Sequence, residues 1–382
     1  MSRPRRAHVL IAGVSTRAAA ESAARAGFAV TAVDAFADLD QHAGVRAIEV
    51  APYSATAAAR AASQVSCDAV AYLSNFENRP AAVRRLAAGR ALWGNAPAAL
   101  ARVRCPVQLA AALARRGLPT PVARLTSDAE MPGGRWLMKP RASGGGQRIG
   151  PWRRGQRLPR GAYLQQWIAG PPASIVFVAA GGRAVSLGMS RQLVGEAAFG
   201  AAGYRYCGNI LSAVPGDAPL LASAEAAMRA VAEEFGLVGV NGVDVIARDG
   251  AAWPIEVNPR WSSSMELVER AYGVSVFGAH AAACADGTLP DFDLAAARET
   301  TRGAVGKAIV FARQTVTAMD TERWLGDASV RDVPRPGVTL AAGMPVCTVF
   351  AEGADADACH AALVRRAERV YAELASWARA AA

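Results

Sequence analysis

The sequence predicts a mixed α/β and α+β protein, with a small parallel-sheet domain leading into a strand-rich body. Three observations carry this. Strand-like and helix-like segments alternate between His8 and Leu73, the pattern of a βαβ unit. Short apolar runs succeed one another from Ala162 to Val214. Asp249-Gly250 divides two more apolar runs, a strong hairpin signal. At 382 residues the chain has room for two or three domains. Its 52% hydrophobic and 19% charged residues mark it as globular rather than disordered.

His8 to Val14 reads as a buried strand, Ser15 as a cap for the Ala-rich helix after it, and Gly27 as its stop. Ala29 to Val33 is a second strand, 55–65 a helix and Asp68 to Leu73 a third strand. Open parallel sheets bind ligands beyond the carboxyl ends of their strands. Two polar clusters stand there, Asp34 to Asp40 and Ser74 to Pro80. Glu77, Asn78 and the acids of the first cluster are therefore substrate candidates, and equally candidates for loop caps. Gly13-Val14-Ser15-Thr16-Arg17 is not G-x-G-x-x-G, which argues against a dinucleotide domain.

Trp93-Gly94-Asn95-Ala96-Pro97 marks a change of domain, and a helix over Pro106 to Arg116 and a turn at Gly117 to Pro121 follow. Trp136 to Lys139 is a strand running into Pro140-Arg141-Ala142-Ser143-Gly144-Gly145-Gly146. Such a loop lets backbone approach phosphate oxygens, and Lys139 adds a point charge. It lacks the G-x-x-x-x-G-K-[ST] spacing of a P-loop. Strand-like runs follow at 162–168, 174–180, 184–190 and 210–214, with an amphipathic helix over Glu225 to Phe235. Ser262, Ser263 and Ser264 offer caps to the next helix. The tail holds strands at 305–311 and 345–350 and a helix from about Ala354 to Trp377.

The chemistry concentrates on the Asp249-Gly250 hairpin. Asp244 and Glu256 lie 12 residues apart, one on each arm. Glu256 and Asn258 are two apart and share a face. Carboxylates and an amide oxygen on one face suit a hard cation such as Mg2+, and Arg260 adds a positive fork for a phosphate oxygen. Arg191, Gln192 and Asn209 are candidate substrate groups, with Arg191 placed to clamp a carboxylate.

The net charge of +10 comes from scattered Arg pairs such as Arg84-Arg85 and Arg153-Arg154. No basic stripe interleaved with aromatics appears, so nucleic acid is not an expected partner. A modest positive field suits ATP and an anionic substrate. The six Cys form no C-x-x-C pair and no zinc spacing, which fits free thiols in the cytoplasm. The basic Met1 to Arg6 segment leads into a run of strand length, not a signal peptide, and no apolar run is long enough to span a membrane.

Taken together, Lys139 with its Gly-rich loop, the strand at 164–168, Asp244 and Glu256-Val257-Asn258-Pro259-Arg260 resemble the ATP-grasp superfamily in order and spacing. The resemblance covers roughly residues 1–300. It implies a pre-ATP-grasp domain over 1–95, an ATP-grasp domain over 96–300 with lobes of about 96–165 and 166–300, and a C-terminal α+β segment over 301–382. It implies that Lys139, Ser143, Gly144, Gly145 and Gly146 hold phosphates, that Gln165, Gln166, Trp167 and Ile168 form the adenine hinge, and that Asp244, Glu256 and Asn258 carry one or two Mg2+, with Mn2+ a substitute. Arg260 would stabilise the transferring phosphoryl group. Arg191 would join it in catalysis, and Glu77, Asn78 and Asn209 would contact substrate.

The activity implied is an ATP-dependent carboxylate–amine ligase with an acylphosphate intermediate, acting on a small-molecule acid and amine. Non-catalytic ATP binding and bicarbonate-dependent carboxylation are the alternatives. The Asp34 to Asp40 acids, Phe76-Glu77-Asn78 and Arg260-Trp261-Ser262-Ser263-Ser264-Met265-Glu266 resemble ligases of one-carbon carrier metabolism, of the tetrahydromethanopterin and methylofuran type and similar in style to tyramine–glutamate ligase. Gln166 stands where many members carry Glu, many carry another acid near Pro172, and Arg102 or Arg104 stands where some carry Lys. For 301–382 a third domain and a homodimer interface both fit.

Overall fold

The computed structural model describes residues 6–127, 131–212 and 217–380. A five-stranded parallel sheet opens the chain: β1 (His8–Ala12), β2 (Ala29–Asp34), β3 (Val45–Glu49), β4 (Ala69–Tyr72) and β5 (Ala91–Trp93), in spatial order β3-β2-β1-β4-β5. Helix α1 (Arg17–Arg25) packs through Ala19, Ala20 and Ala23 against Val9 and Ile11. Helices α2 (Ala55–Ala62) and α3 (Pro80–Leu86) cover Leu10, Ala12 and Val70 on the other face. Covering both faces is what makes these strands read as continuous apolar runs. The two strands absent from the sequence reading, β3 and β5, are the edges, where β3 is not buried and β5 is only three residues long.

Helices α4 (Pro97–Val103) and α5 (Pro106–Arg115) each begin on a proline, which suits the first helical turn. They lead to a four-stranded antiparallel sheet of β6 (Ala123–Arg124), β7 (Trp136–Pro140), β8 (Gly150–Trp152) and β9 (Ala162–Gln166), in order β6-β9-β7-β8. Its core is small: Met131, Trp136, Trp152 and Leu164.

The second lobe is built on β10 (Pro172–Ala180), β11 (Arg183–Val194), β12 (Tyr206–Ser212), α6 (Ala218–Phe235), β13 (Gly239–Arg248) and β14 (Ala251–Asn258). Then come α7 (Met265–Tyr272), α8 (Val276–Ala285), α9 (Leu294–Thr300) and β15 (Ala304–Phe311). A short pair, β16 (Val316–Thr317) and β18 (Thr339–Leu340), flanks β17 (Val330–Arg331), and β19 (Pro345–Gly353) and α10 (Ala356–Ala380) end the chain. The large antiparallel sheet runs β14-β13-β10-β11-β12-β15-β19-β17. Segment 301–380 thus continues the second lobe's own sheet, with Leu363, Ala367 and Val370 of α10 packed against it. Alternation decides the faces of the sheet: Ile175, Phe177, Val243 and Val257 bury against α5 and α6, while Val176 and Val178 face α8.

Several local expectations change. The N-cap of α1 is Thr16 rather than Ser15, and its hydroxyl bonds to Asp34 instead of capping. Ser264 caps α7 by position only, with no side-chain capping bond. The run expected at 210–214 belongs to β12, which ends at Ser212, and 213–214 lie outside the described residues, as does most of the basic Met1 to Arg6 stretch.

Arg17 joins the first domain to the rest. Fully buried, its guanidinium meets Glu266 at 2.8 Å, Asp332 at 2.7 Å, Glu21 at 3.0 Å and Asp40 at 3.5 Å. Lys307 closes on Glu266 at 2.6 Å. Burial disfavours the ionised Glu266, but Arg17 and Lys307 outweigh it and hold its carboxyl well below the usual range. Removing one member of a buried ion network leaves the others uncompensated. Arg17→Ala is therefore expected to cost about 3–5 kcal/mol of unfolding free energy, read from the urea midpoint, and a loss near zero would show the network to be replaceable.

Candidate active site

The hairpin forms as the Asp-Gly pair requires. Asp249 (φ +52°) and Gly250 (φ +72°) both take the left-handed conformation, which the tight two-residue turns joining twisted strands demand. The register puts Asp244 directly opposite Glu256 and Gly242 opposite Asn258. Both oxygens of Asp244 are engaged: Gln192 Nε2 donates to Oδ1 at 2.9 Å and Asn258 Nδ2 to Oδ2 at 2.9 Å. Glu256 accepts from Arg104, which also donates to the Val257 carbonyl at 2.9 Å.

The two acids titrate in opposite directions. Burial, then the neighbouring Glu256 charge, pushes Asp244 up to about 6. Burial also opposes ionisation of Glu256, but Arg104, Lys139 and Arg260 prevail and hold it below its ordinary value. The cations of the site thus settle on Glu256, and Asp244 is left short of positive charge.

The first lobe meets this hairpin across a cleft lined by Arg104, Lys139, Arg141, Ser143, Tyr163 and Glu256 among others. Lys139 is buried on β7 and donates to Gln165 Oε1 at 3.1 Å, and Gln165 Nε2 donates to the Ile255 carbonyl at 3.0 Å. This relay ties the first lobe to β14. The Gly-rich loop lies against the second lobe: the Tyr206 amide donates to the Gly145 carbonyl at 3.1 Å, and a Cβ on Gly146 would overlap the Tyr204 carbonyl. Arg104 and Asn78 both donate to the Ser143 carbonyl at 3.3 Å.

Other expected site residues are distributed unevenly. Arg260 reaches the cluster, donating to Asn258 Oδ1 at 3.1 Å and pairing with Glu77 at 2.9 Å. One oxygen of Glu77 is therefore committed to Arg260, and Asn78 is committed to Arg104 and Ser143. Asn209 is buried, bonded to Ser190 at 2.9 Å and to Tyr206, and stands in register between Gln192 and Lys307. Arg191 is not brought to the cleft. Strand alternation turns it to the face opposite Gln192, half-exposed and 3.8 Å from Asp357 of α10. The Gln166 side chain accepts from the Val122 amide at 3.3 Å and so braces the edge of the small sheet. Trp167 is covered by the Arg135 guanidinium at 3.7 Å, and Ile168 is buried. Arg104, flagged in the sequence only as a stand-in for Lys, proves to bridge Glu256, Asn78 and the loop.

Asp244, Glu256 and Asn258 fit a magnesium ion by donor chemistry, being two carboxylates and an amide on neighbouring strands. The raised Asp244 marks the charge deficit that a cation would relieve. Among the described residues no three His, Cys, Asp or Glu side chains group closely enough to hold a metal by themselves, so an amide and phosphate oxygens would complete the shell. Asn258 Oδ1 now accepts from Arg260, and ligation would require that bond to yield. Because Asp244 loses its proton as pH rises through about 6, Mn2+ affinity is expected to fall about tenfold per pH unit below that value and to level off above pH 7. Electron spin resonance of free Mn2+ checks this, and a flat profile between pH 5 and 7 would remove Asp244 from the ligand set.

The ATP-grasp domain family matches residues 107–264. Comparison with curated proteins gave no match. Among solved structures, an L-amino acid ligase from Bacillus licheniformis aligns with a TM-score of 0.69 at 16% identity, covering 96% of this chain and 98% of that one. The biotin carboxylase domain of a Hydrogenobacter thermophilus 2-oxoglutarate carboxylase aligns at 0.68 and 15%, covering 91% and 86%. A biotin carboxylase from Campylobacter jejuni gives 0.68 and 14%, covering 91% and 87%. At these identities the likeness is one of fold. The chain has the ATP-grasp fold, with an ATP-grasp domain over residues 107–264.

Proposed function

We propose that the protein is an ATP- and Mg2+-dependent carboxylate–amine ligase. The observation that carries this is that Lys139, Arg104, Glu256 and the Gly-rich loop line one cleft between two lobes, with Asp244 opposite Glu256 on the hairpin and bonded to Asn258, which in turn accepts from Arg260. Phosphoryl transfer asks chiefly for positioning and neutralisation of charge, and every member of this set supplies one or the other.

In this reading ATP lies in the cleft, with adenine against the backbone of Gln165 to Ile168 and phosphates under Ser143 to Gly146. Lys139 holds a phosphate oxygen. Arg104, now on Glu256, turns to the phosphates when they enter. Asp244, Glu256 and Asn258 would hold magnesium, which would supply neutralisation of phosphate charge. Arg260, released from Asn258, stabilises the γ-phosphoryl group as a carboxylate oxygen of the acid attacks it, the bond from the γ-phosphorus to the bridging oxygen breaks and ADP leaves. An amine then attacks the acylphosphate carbonyl carbon, the bond from that carbon to the phosphate oxygen breaks, and an amide and phosphate leave. The polar row of Gln192, Ser190 and Asn209 beside Asp244 gives the acid a floor.

Glutamate addition in the making of a tetrahydromethanopterin- or methylofuran-type carrier is the finer form of the proposal and rests on the sequence resemblance. A homodimer belongs with it, since the Hydrogenobacter thermophilus domain is itself described as a dimer.

A screen of acids and amines for coupled ADP release, with mass detection of the joined product, tests the reading. ADP release only when an acid and an amine are both present, with an amide product, is expected. Release driven by bicarbonate alone would favour a carboxylase, and tight ATP binding without release would favour a non-catalytic role. Glu256→Gln and Asn258→Ala are each expected to lower kcat at least 100-fold, measured at saturating Mg2+, while circular dichroism shows that the fold survives. Lys139→Ala is expected to raise the ATP dissociation constant about tenfold. A near-normal rate in the first pair, or an unchanged ATP affinity in the third, would refute the assigned roles.

A further inference from the structure

The mechanism uses Asn258 and Arg260 but not the contacts that fix the bend between them. Pro259 has its φ set by its ring and restricts Asn258 before it to extended backbone. The Arg260 amide donates to the Asn258 carbonyl at 2.8 Å, which closes a three-residue turn. The Pro259 carbonyl takes two donors from the first domain, Asn95 Nδ2 at 3.0 Å and the Tyr72 hydroxyl at 3.3 Å. A carbonyl oxygen has two lone pairs, so this one is saturated. Its peptide plane is the one from which Arg260 departs.

Asn95 is fully engaged at this joint. Its Nδ2 also donates to Asn241 Oδ1 at 2.8 Å, its Oδ1 accepts from the Val238 amide at 2.9 Å, and its carbonyl accepts from Tyr72 at 2.9 Å. Asn241 is anchored in turn by donating to the Gly239 carbonyl at 2.8 Å. It precedes Gly242, the residue opposite Asn258 on the hairpin. Asn95 therefore ties the start of β13 to the exit of β14. Asn95, Asn241 and Tyr72 are all buried, and a buried polar network with its members satisfied holds a single arrangement. The Trp93-Gly94-Asn95 segment is shaped for this. Gly94 has φ +144°, and a Cβ there would stand 2.9 Å from the Tyr72 ring, so glycine lets Asn95 lie beside Tyr72. Glu77 adds a further hold from the first domain, pairing with Arg260 at 2.9 Å.

We propose, resting on the ligase reading, that Asn95 is a positioning residue of the active site. By clamping the Pro259 carbonyl to Asn241 it sets the angle at which Asn258 offers its amide oxygen to the cation and Arg260 its guanidinium to the γ-phosphoryl group. Groups that orient metal ligands from behind govern metal affinity strongly. The first domain thereby tunes the site through a residue that touches neither metal nor nucleotide.

The test is Mn2+ binding by the full chain, read from the electron spin resonance of the free ion, with the melting temperature taken on the same samples. Asn95→Ala is expected to weaken Mn2+ binding about tenfold and to lower the melting temperature. Tyr72→Phe removes one of the two donors to the Pro259 carbonyl and is expected to weaken Mn2+ binding about threefold; it decides the matter if Asn95→Ala does not fold. Ser22→Ala is the control. Ser22 is also buried and also joins the first domain to the second lobe, donating to Glu269 and accepting from the Phe277 amide at 3.2 Å, but it lies on α1, away from the turn. Its loss should lower the melting temperature and leave Mn2+ affinity at the wild-type value. Equal Mn2+ affinity in wild type, Asn95→Ala and Tyr72→Phe would overturn the proposal. So would a loss in Ser22→Ala as large as that in Asn95→Ala, or a wild type that binds no Mn2+. The ligase reading fails separately, if no acid and amine elicit ADP release from the wild type.

Discussion

The constraint on which the rest of the structure depends is the opposition of Asp244 and Glu256 across the β13–β14 hairpin. Two carboxylates at that spacing and partly withdrawn from water repel each other, and the fold must bring positive charge to them. It does so from three directions. Arg104 arrives from the end of α4, Lys139 from the small antiparallel sheet, and Arg260 from the residues just past β14. The lobes meet at Glu256, where Arg104, Lys139 and Arg260 together outweigh the cost of its burial.

That balance is incomplete in a useful way. Glu256 is satisfied and Asp244 is not. Arg104 and Arg260 sit on protein acceptors that phosphate oxygens can replace. Ligands entering such a site exchange one set of charge-assisted hydrogen bonds for another instead of building a set from nothing, which keeps the cost of reorganisation low. Glu77 and Asn78 carry the same logic into the first domain, joining it to Arg260, Arg104 and the Gly-rich loop. The parallel-sheet domain is thereby part of the site's wall.

Much of this was legible in the sequence where local chemistry decides the outcome. Asp-Gly fixed the hairpin, period-two spacing put Glu256 and Asn258 on one face, and glycines after Lys139 marked the loop. What was not legible depends on which face of a sheet turns inward. Arg191 and Gln192 are adjacent, and only the packing of Met189 and Ala173 against α6 assigns Gln192 to the cleft and Arg191 to the far side. The bond from the Val122 amide to the Gln166 side chain is likewise a contact that the sequence does not display. Arg104 and Arg17 owe their importance to partners more than 150 and more than 240 residues away, a separation no local pattern encodes. The tail was unreadable as a motif because its strands only add to a sheet already begun.

The central claim is that a carboxylate oxygen of the acid attacks the γ-phosphate of ATP. It is tested most directly by supplying an acid that supports turnover with 18O in both carboxylate oxygens, and measuring label in the released phosphate by mass spectrometry. One 18O per phosphate at each turnover is the predicted result. Phosphate free of 18O would contradict the account, since ATP would then be cleaved by water and no acylphosphate would link the two lobes' chemistry to amide formation.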